Sequence, residues 1–359
     1  MSKAAELAAL IGSQTALSNK NLIINGAMTI HQRTGTISSS ASGPYSLDRF
    51  RGYSSGGGVF SMEQSTTVPN NTFSNSLKCT VTTDDGSVAS GDFYALDHRV
   101  EGYNIIQTGF GTSDAVPVTL SFWVRSSVTG TYSAYIYNAD GTRVYVFNYT
   151  ISAADTWQKV ENTFTGETTG TWNKTNGVGF LVGFNLGRGS GFDTTADAWQ
   201  TTTGYALAST ASDIEWIGTS SATFYITGVQ LEVGEQATPF EHRSFGDELF
   251  RCQRYYVSAG KGHGENYGFK NMPVKIAHTN SYIQGTHHPL EMRADPTVVI
   301  YSRNSTANKV SVFLTGADAP DTWTINSGGR LGFHAVNRNA NTHTQNDGFE
   351  YGYTADAEL

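Results

Sequence analysis

Residues 116–164 constrain the fold more than any other stretch, because they read as short strands joined by tight turns. Leu120, Phe122 and Val124 alternate with Ser121, Trp123 and Arg125, the period of two expected of a strand with one buried face. Asp140-Gly141 supplies the positive φ that a tight hairpin needs, so the runs on either side are predicted to pair antiparallel. Tyr135, Tyr137, Tyr145, Phe147 and Tyr149 read as one further face, aromatic rather than charged. Such a face must be covered by a second sheet or must meet a partner.

The 359 residues are enough for two domains and a terminal appendage. Charged residues make up only 15%, and Tyr and Phe accompany abundant Gly, Ser, Thr and Asn. That mixture suits short strands with neutral polar surfaces and does not suit helical bundles. A formal net charge of −8 argues against nucleic acid as a partner, since phosphate binding needs clustered Lys and Arg. No apolar run approaches the ~20 residues of a membrane span, so no membrane insertion is expected. The apolar stretch at residues 4–11 is short and broken by Glu6, unlike a signal-peptide core. Cys79 and Cys252 lie far apart and are expected as free buried thiols in a chain made in a reducing cytosol.

Residues 1–18 are predicted to form an N-terminal helix, with Ala4, Leu7 and Ile11 spaced three and four apart and Gly12 ending the stripe. So short a helix is marginal alone in water, and the stripe points to attachment or self-association. Across residues 19–239, alternating segments near 60–62, 76–81, 156–164, 178–186 and 222–233 are punctuated by Gly and Asn turns. So many short antiparallel strands predict an all-β jelly-roll β-sandwich. Residues 187–220, rich in Thr, Gly and Trp, are predicted to be a loop on one rim. Phe245, Leu249, Cys252 and Tyr256 recur at four, three and four, which predicts a short helix over about 246–254, inside a linker of 240–256. Residues 257–359 are expected to form a smaller β-rich C-terminal domain, with strands near 274–278, 298–302, 309–314 and 331–336.

Few stretches could carry catalysis. Lys261 follows Gly260, but Gly262 stands where a phosphate loop needs Ser or Thr. Gly177-Val178-Gly179 lies in a strand pattern and has Val182 where a dinucleotide fingerprint needs its third Gly. No Gly-x-Ser-x-Gly elbow occurs. His287, His288 and Glu291 read as ordinary polar surface, because adjacent side chains on an extended segment point to opposite faces. The acids, such as Asp84, Asp85 and Asp140, sit mostly in turns, where they cap loops. Paired carboxylates for glycoside hydrolysis stay open, because their separation of ~5–9 Å is not visible in sequence. No metal or cofactor is expected.

Aromatic residues are the other candidates. Sugar rings present flat C–H faces that stack on Trp and Tyr, while Asn, Gln and Asp bind the hydroxyls. Trp172, Trp199, Tyr205 and Trp216 lie in or beside the long insert, near Asn173, Asn176, Asp193 and Gln200. Together they make a candidate glycan contact. The plainer alternative is that each Trp plugs the sandwich. Trp157 reads as core.

Ser121-Phe-Trp-Val-Arg-Ser-Ser127, Asp155-Thr-Trp-Gln-Lys-Val160 and Ile226-Thr-Gly-Val-Gln-Leu-Glu-Val-Gly234 resemble the strand pattern of jelly-roll carbohydrate-binding modules. A longer set resembles tail-fibre and related appendage proteins of tailed bacteriophages. It begins with Asn21-Leu-Ile-Ile-Asn-Gly-Ala-Met28, Tyr45-Ser-Leu-Asp-Arg-Phe50, Gln230-Leu-Glu-Val-Gly234 and Ala237-Thr-Pro-Phe-Glu241. It continues with Glu248-Leu-Phe-Arg-Cys-Gln-Arg-Tyr-Tyr256, Met292-Arg-Ala-Asp-Pro-Thr297 and Tyr353-Thr-Ala-Asp-Ala-Glu-Leu359. The segments span nearly the whole chain in order, which is more specific than any one of them.

The resemblance implies a homo-oligomeric fibre, commonly a homotrimer, made in the bacterial cytoplasm and fixed by its N-terminus to tail or baseplate proteins of the virion. Its distal end would face a host-surface glycan or protein. None of the matching motifs is catalytic, so it implies no enzyme. The apolar stripes fit such an assembly, with Ala4, Leu7 and Ile11, and then Phe245, Leu249 and Tyr256, as attachment and oligomerisation candidates. A head fibre, decoration or adaptor protein is the structural alternative. A host-polysaccharide depolymerase is the enzymatic one, although the short regular repeats of a β-helix are absent.

Overall fold

The computed structural model describes residues 19–33, 35–210, 214–259, 270–273, 275–277, 280–302, 304, 306–312, 322–337 and 348–359. The chain divides into two units, residues 19–29 with 35–244 and residues 30–34 with 245–359. The expected helix over 1–18, with Ala4, Leu7 and Ile11, lies outside the described residues. Among those residues, no helix is long and apolar enough to cross a membrane.

The first unit is an all-β sandwich. Its early strands are β1 (Ile37–Ser38), β2 (Phe50–Ser54), β3 (Val59–Ser65), β4 (Ser76–Thr83) and β5 (Phe93–Glu101). Next come β6 (Val118–Ser126), β7 (Gly130–Tyr137), β8 (Arg143–Ile151), β9 (Gln158–Phe164) and β10 (Val178–Arg188). The insert adds β11 (Asp193–Thr194), β12 (Trp199–Thr201) and β13 (Ala208–Ser209), and β14 (Thr223–Val233) closes the set. One sheet has the order β1-β3-β4-β14-β6-β9 and the other β12-β8-β7-β10-β5-β2. Neighbours within both sheets are antiparallel. β14 returns between β4 and β6, and β10 between β7 and β5, which is the winding of a jelly roll.

The alternation seen in the sequence builds the core. Leu120, Phe122 and Val124 of β6 and Phe224 and Ile226 of β14 meet Ile136, Phe147, Val182 and Phe184 of the other sheet, all buried. Each such side chain contributes on the order of 1.5–3 kcal/mol by leaving water. The predicted hairpin is present: β7 pairs with β8 across Asp140-Gly141, and Gly141 takes φ +68°.

The single aromatic face expected of this hairpin is split in two. Register places Tyr137 opposite Val144, Tyr135 opposite Val146 and Ile136 opposite Tyr145. Tyr145, Phe147 and Tyr149 therefore point into the inter-sheet core, while Tyr135 and Tyr137 take the outer face with Val144, Val146 and Leu181. The register of this hairpin puts an odd position of one strand beside an even position of the other, so spacing within each strand does not say which residues share a face.

The insert is not a rim loop. β12 extends the second sheet beside β8, β11 pairs with β13 in parallel, and Ala206 and Leu207 cover Tyr135 and Tyr137. The outer face of this sheet thus gains a third layer. Tyr135 lies across Gly183, where a Cβ would come within 2.2 Å of its ring, so the close approach needs glycine.

The second unit contains α1 (Phe245–Gln253), β15 (Tyr256–Ala259), β16 (Lys270–Pro273), β17 (Lys275–Ala277) and β18 (Asn280–His287). It ends with β19 (Thr297–Tyr301), β20 (Ser311–Val312), β21 (Thr324–Gly329), β22 (Gly332–Asn337) and β23 (Gly348–Asp356). β15, β16, β19 and β20 all pair with β23, and a further sheet runs β17-β18-β22-β21. Met292, Ile300, Trp323, Phe333 and Tyr353 form its core. Residues 30–33 belong to this unit: Gln32 Nε2 donates to the Tyr256 carbonyl at 2.8 Å, and the Arg33 guanidinium lies 3.6 Å over the Tyr256 ring.

The helix buries most of the predicted stripe but not its first residue, Phe245. Glu248 and Cys252 are buried, Leu249 is half-buried, and Phe245 and Phe250 are exposed. Tyr256 lies beyond the helix in β15, opposite Asp356. Cys79 and Cys252 are free and buried.

Candidate functional site

Asn, Thr and acidic side chains gather at two places in the first unit, and hydrogen bonding separates their roles. At the first, residues 19–25 meet 230–243. The Asn21 side chain donates to the Val229 carbonyl (3.1 Å) and accepts from the N–H groups of Ile23 (2.9 Å) and Leu231 (3.1 Å). Glu241 accepts from the Asn21 N–H (2.9 Å) and from that of Asn19, and its own N–H donates to Gln230 Oε1 (2.8 Å). Arg243 pairs with Glu241 (3.1 Å) and donates to the carbonyls of Ile23 (3.1 Å) and Asn21. Glu232 accepts from Gln230 Nε2 (2.8 Å) and from the Thr238 hydroxyl (2.6 Å), which Lys20 also contacts. Buried polar atoms matched in this way hold the sandwich shut and leave little for a ligand.

The second place is the insert. Residues 189–192 turn against 89–92, with the N–H groups of Gly189 and Gly191 donating to Asp92 and Ser90 carbonyls at 2.8 and 2.9 Å. The N–H of Asp197, which has φ +62°, then donates to the Val146 carbonyl at 2.8 Å. Arg188 is held by Asp193 (Nε to Oδ1, 3.0 Å) and by the Ser209 carbonyl (3.2 Å). Asn148, on the outer face of β8, accepts from Ser133 (2.9 Å) and donates to the Ser209 hydroxyl (2.8 Å).

Between these groups opens a cleft of about 510 Å³, lined by Asn148, Asp193, Thr194, Thr195, Ala196, Asp197, Ser209 and Thr210. The hydroxyls of Thr194, Thr195 and Thr210 and the carboxylate of Asp197 have no hydrogen-bond or ion-pair partner among the described residues. The volume falls in the ~300–1,000 Å³ range of small-ligand pockets. Free hydroxyls can donate and accept, and a free carboxylate accepts strongly, so the lining suits a polyol.

Of the sequence candidates, Asp193 alone lines this cleft. Trp216 is 0% exposed against Phe60, so it is core and cannot touch a glycan. Trp172 is corrected likewise: it is 6% exposed among Phe110, Phe180 and Trp199, and its Nε1 donates to the Thr169 carbonyl at 2.9 Å. Trp199 is half-buried on β12, with Nε1 donating to the Thr165 carbonyl at 2.8 Å. Tyr205 is 48% exposed, with its ring 5.1 Å from that of Tyr137, and packs on the Gly141 turn outside the cleft. Asn173 Oδ1 accepts from the Thr175 N–H and hydroxyl at 2.8 and 2.9 Å, which closes a turn.

Asp140 likewise caps Thr142, and Asp85 accepts from Ser87 and from the Tyr94 hydroxyl, as expected of turn acids. His287 is exposed, whereas His288 is buried between the rings of Phe333 and Tyr353, so half of the expected polar surface is core. No cluster of three or more His, Cys, Asp or Glu able to hold a metal occurs among the described residues. Sequence reasoning missed Asn148, Thr194, Asp197 and Thr210. The available signal was the run Asp193-Thr-Thr-Ala-Asp197, two acids four apart among threonines in an uncharged insert.

No family model and no curated relative matches the chain. Solved structures similar to it include the enzymatically active domain of bacteriophage CBA120 tailspike protein 4 (12% identity, TM-score 0.31). An arabinose-bound α-L-arabinofuranosidase matches at 10% identity and TM-score 0.35. The two matches cover 60% and 66% of this chain, but the chain spans only 21% of the tailspike domain and 30% of the arabinofuranosidase. A family 11 carbohydrate-binding module from a Clostridium thermocellum cellulosomal cellulase matches at 11% identity and TM-score 0.28, over 53% of this chain and 91% of the module. At such identities and TM-scores these matches carry no argument about function, and the jelly-roll assignment rests on strand order and register.

Proposed function

We propose that this chain is a non-enzymatic virion appendage of a tailed bacteriophage, a tail fibre that holds a host-surface saccharide in the cleft formed by the insert. The observation that carries the reading is the free polar lining of that cleft. Thr194, Thr195, Thr210 and Asp197 present hydroxyl and carboxylate groups with no partner among the described residues, side by side at an open surface. A sugar satisfies such groups at every hydroxyl. The ordered motif set supports the virion assignment, and the apolar stripe at Ala4, Leu7 and Ile11 supports attachment through the N-terminus as a homotrimer.

Purified chain is expected to bind host cells, antibodies against it to label tails, and host polysaccharide to release no reducing ends. Labelled heads without cell binding would favour a head fibre, decoration or adaptor protein. Released reducing ends would favour a depolymerase acting through Asp193 and Asp197. Monomer mass at micromolar concentration would remove the trimer.

A further inference from the structure

The charge pattern of the cleft narrows its ligand, on the reading that it binds a saccharide. Asp193 and Asp197 both line it, and no Lys or Arg does. Arg188, bonded to two lining residues, donates to Asp193 and to the Ser209 carbonyl, so its guanidinium is committed to the wall. An anionic sugar, such as a uronic acid or a sialic acid, would bring its carboxylate beside the unpaired Asp197, since Arg188 balances Asp193 and no free cation stands among the described lining residues. Like charges a few ångströms apart repel, and the repulsion at the exposed Asp197 is screened by salt. A protonated amine would instead meet the unpaired Asp197 carboxylate in a charge-assisted hydrogen bond.

We propose that the cleft selects by charge: it takes neutral saccharides, prefers those bearing a free amine, and rejects acidic ones, with Asp197 as the discriminating residue. The threonine hydroxyls and Asn148 supply the charge-blind part of recognition, and Asp197 adds the sign.

The test is isothermal titration of the full chain with three oligomers of equal length: glucosamine, N-acetylglucosamine and galacturonate. Glucosamine oligomers are expected to bind at least tenfold tighter than galacturonate oligomers, with the N-acetylated neutral series between them. Salt should narrow the gap between the amine and neutral series, because screening acts only on the charged pair. Asp197→Asn should weaken the amine series far more than the neutral series, and so remove most of the amine preference, while the melting temperature stays unchanged. Galacturonate binding as tight as the neutral series overturns the selection rule but leaves saccharide binding standing. Amine preference that survives in Asp197→Asn places it elsewhere and also overturns the proposal. Binding of none of the three oligomers, with host cells also unbound, removes the saccharide reading and this inference together.

Discussion

The clasp at residues 19–25 and 230–243 and the cleft at residues 148 and 193–210 use the same side chains to opposite ends. Both combine Asn, Thr, acid and Arg. In the clasp, one Asn side chain bonds three backbone groups and one Glu carboxylate takes two more, with Arg243 completing the charge. In the cleft, Asn148 and Arg188 are satisfied by the fold, but three threonines and Asp197 are not. A matched polar group holds a fold together, and an unmatched one at an open surface is available to a ligand. Three of the segments that resemble those of phage appendage proteins, at 21–28, 230–234 and 237–241, overlap the first region, where their polar side chains bond to the fold.

The largest contrast is expected from Glu241→Ala. It removes the ion-pair partner of Arg243, which keeps its bonds to the Ile23 and Asn21 carbonyls, and the acceptor of two backbone N–H groups, and should lower stability by about 3 kcal/mol in denaturant unfolding. A loss below ~1 kcal/mol would mean that the clasp is ornament. Asn21→Ala removes three hydrogen bonds from a buried crossing and should destabilise by about 2 kcal/mol on the same measurement.

Acid should act on the clasp side. Burial, with help from Arg49, holds the His98 imidazole well below its ordinary range, and the N–H of Ile24 in the clasp segment donates to its Nε2 at 3.3 Å. The unfolded chain therefore takes up a proton that the folded one refuses. This contribution to stability is complete above the ordinary histidine pKa of about 6.5. It falls by up to about 1.4 kcal/mol per pH unit below that value. His98→Gln should flatten that slope. Burial opposes the charge on Glu241, but hydrogen bonds from the Asn21 and Asn19 N–H groups and the nearby Arg243 outweigh it and lower its pKa. Its contribution is present above about pH 4.5 and is lost as pH falls further. Melting curves from pH 8 to 3 would separate the two.

The smallest effect is expected in the cleft. Thr194→Ala and Asp197→Asn should each change stability by less than about 0.5 kcal/mol, because neither side chain has a partner to lose. Loss of host-cell binding without loss of stability is the signature of a ligand site, and a stability change equal to that of Asn21→Ala would erase the contrast.

What the sequence determined by itself was local. Alternation at Leu120, Phe122 and Val124, the Asp140-Gly141 turn and the scarcity of charge were enough for a jelly-roll sandwich, and the apolar spacing after Phe245 was enough for a helix. Only the tertiary structure decided which faces are covered. Tyr135 and Tyr145 look alike in sequence, yet one lies under the insert and the other in the core, because pairing register sets the face. Trp172 and Trp216 read as rim contacts and are core, while Asn148 and Asp197 drew no notice and line the cleft. The period of a strand is written in neighbouring residues, but the cover over each face comes from segments dozens of positions away.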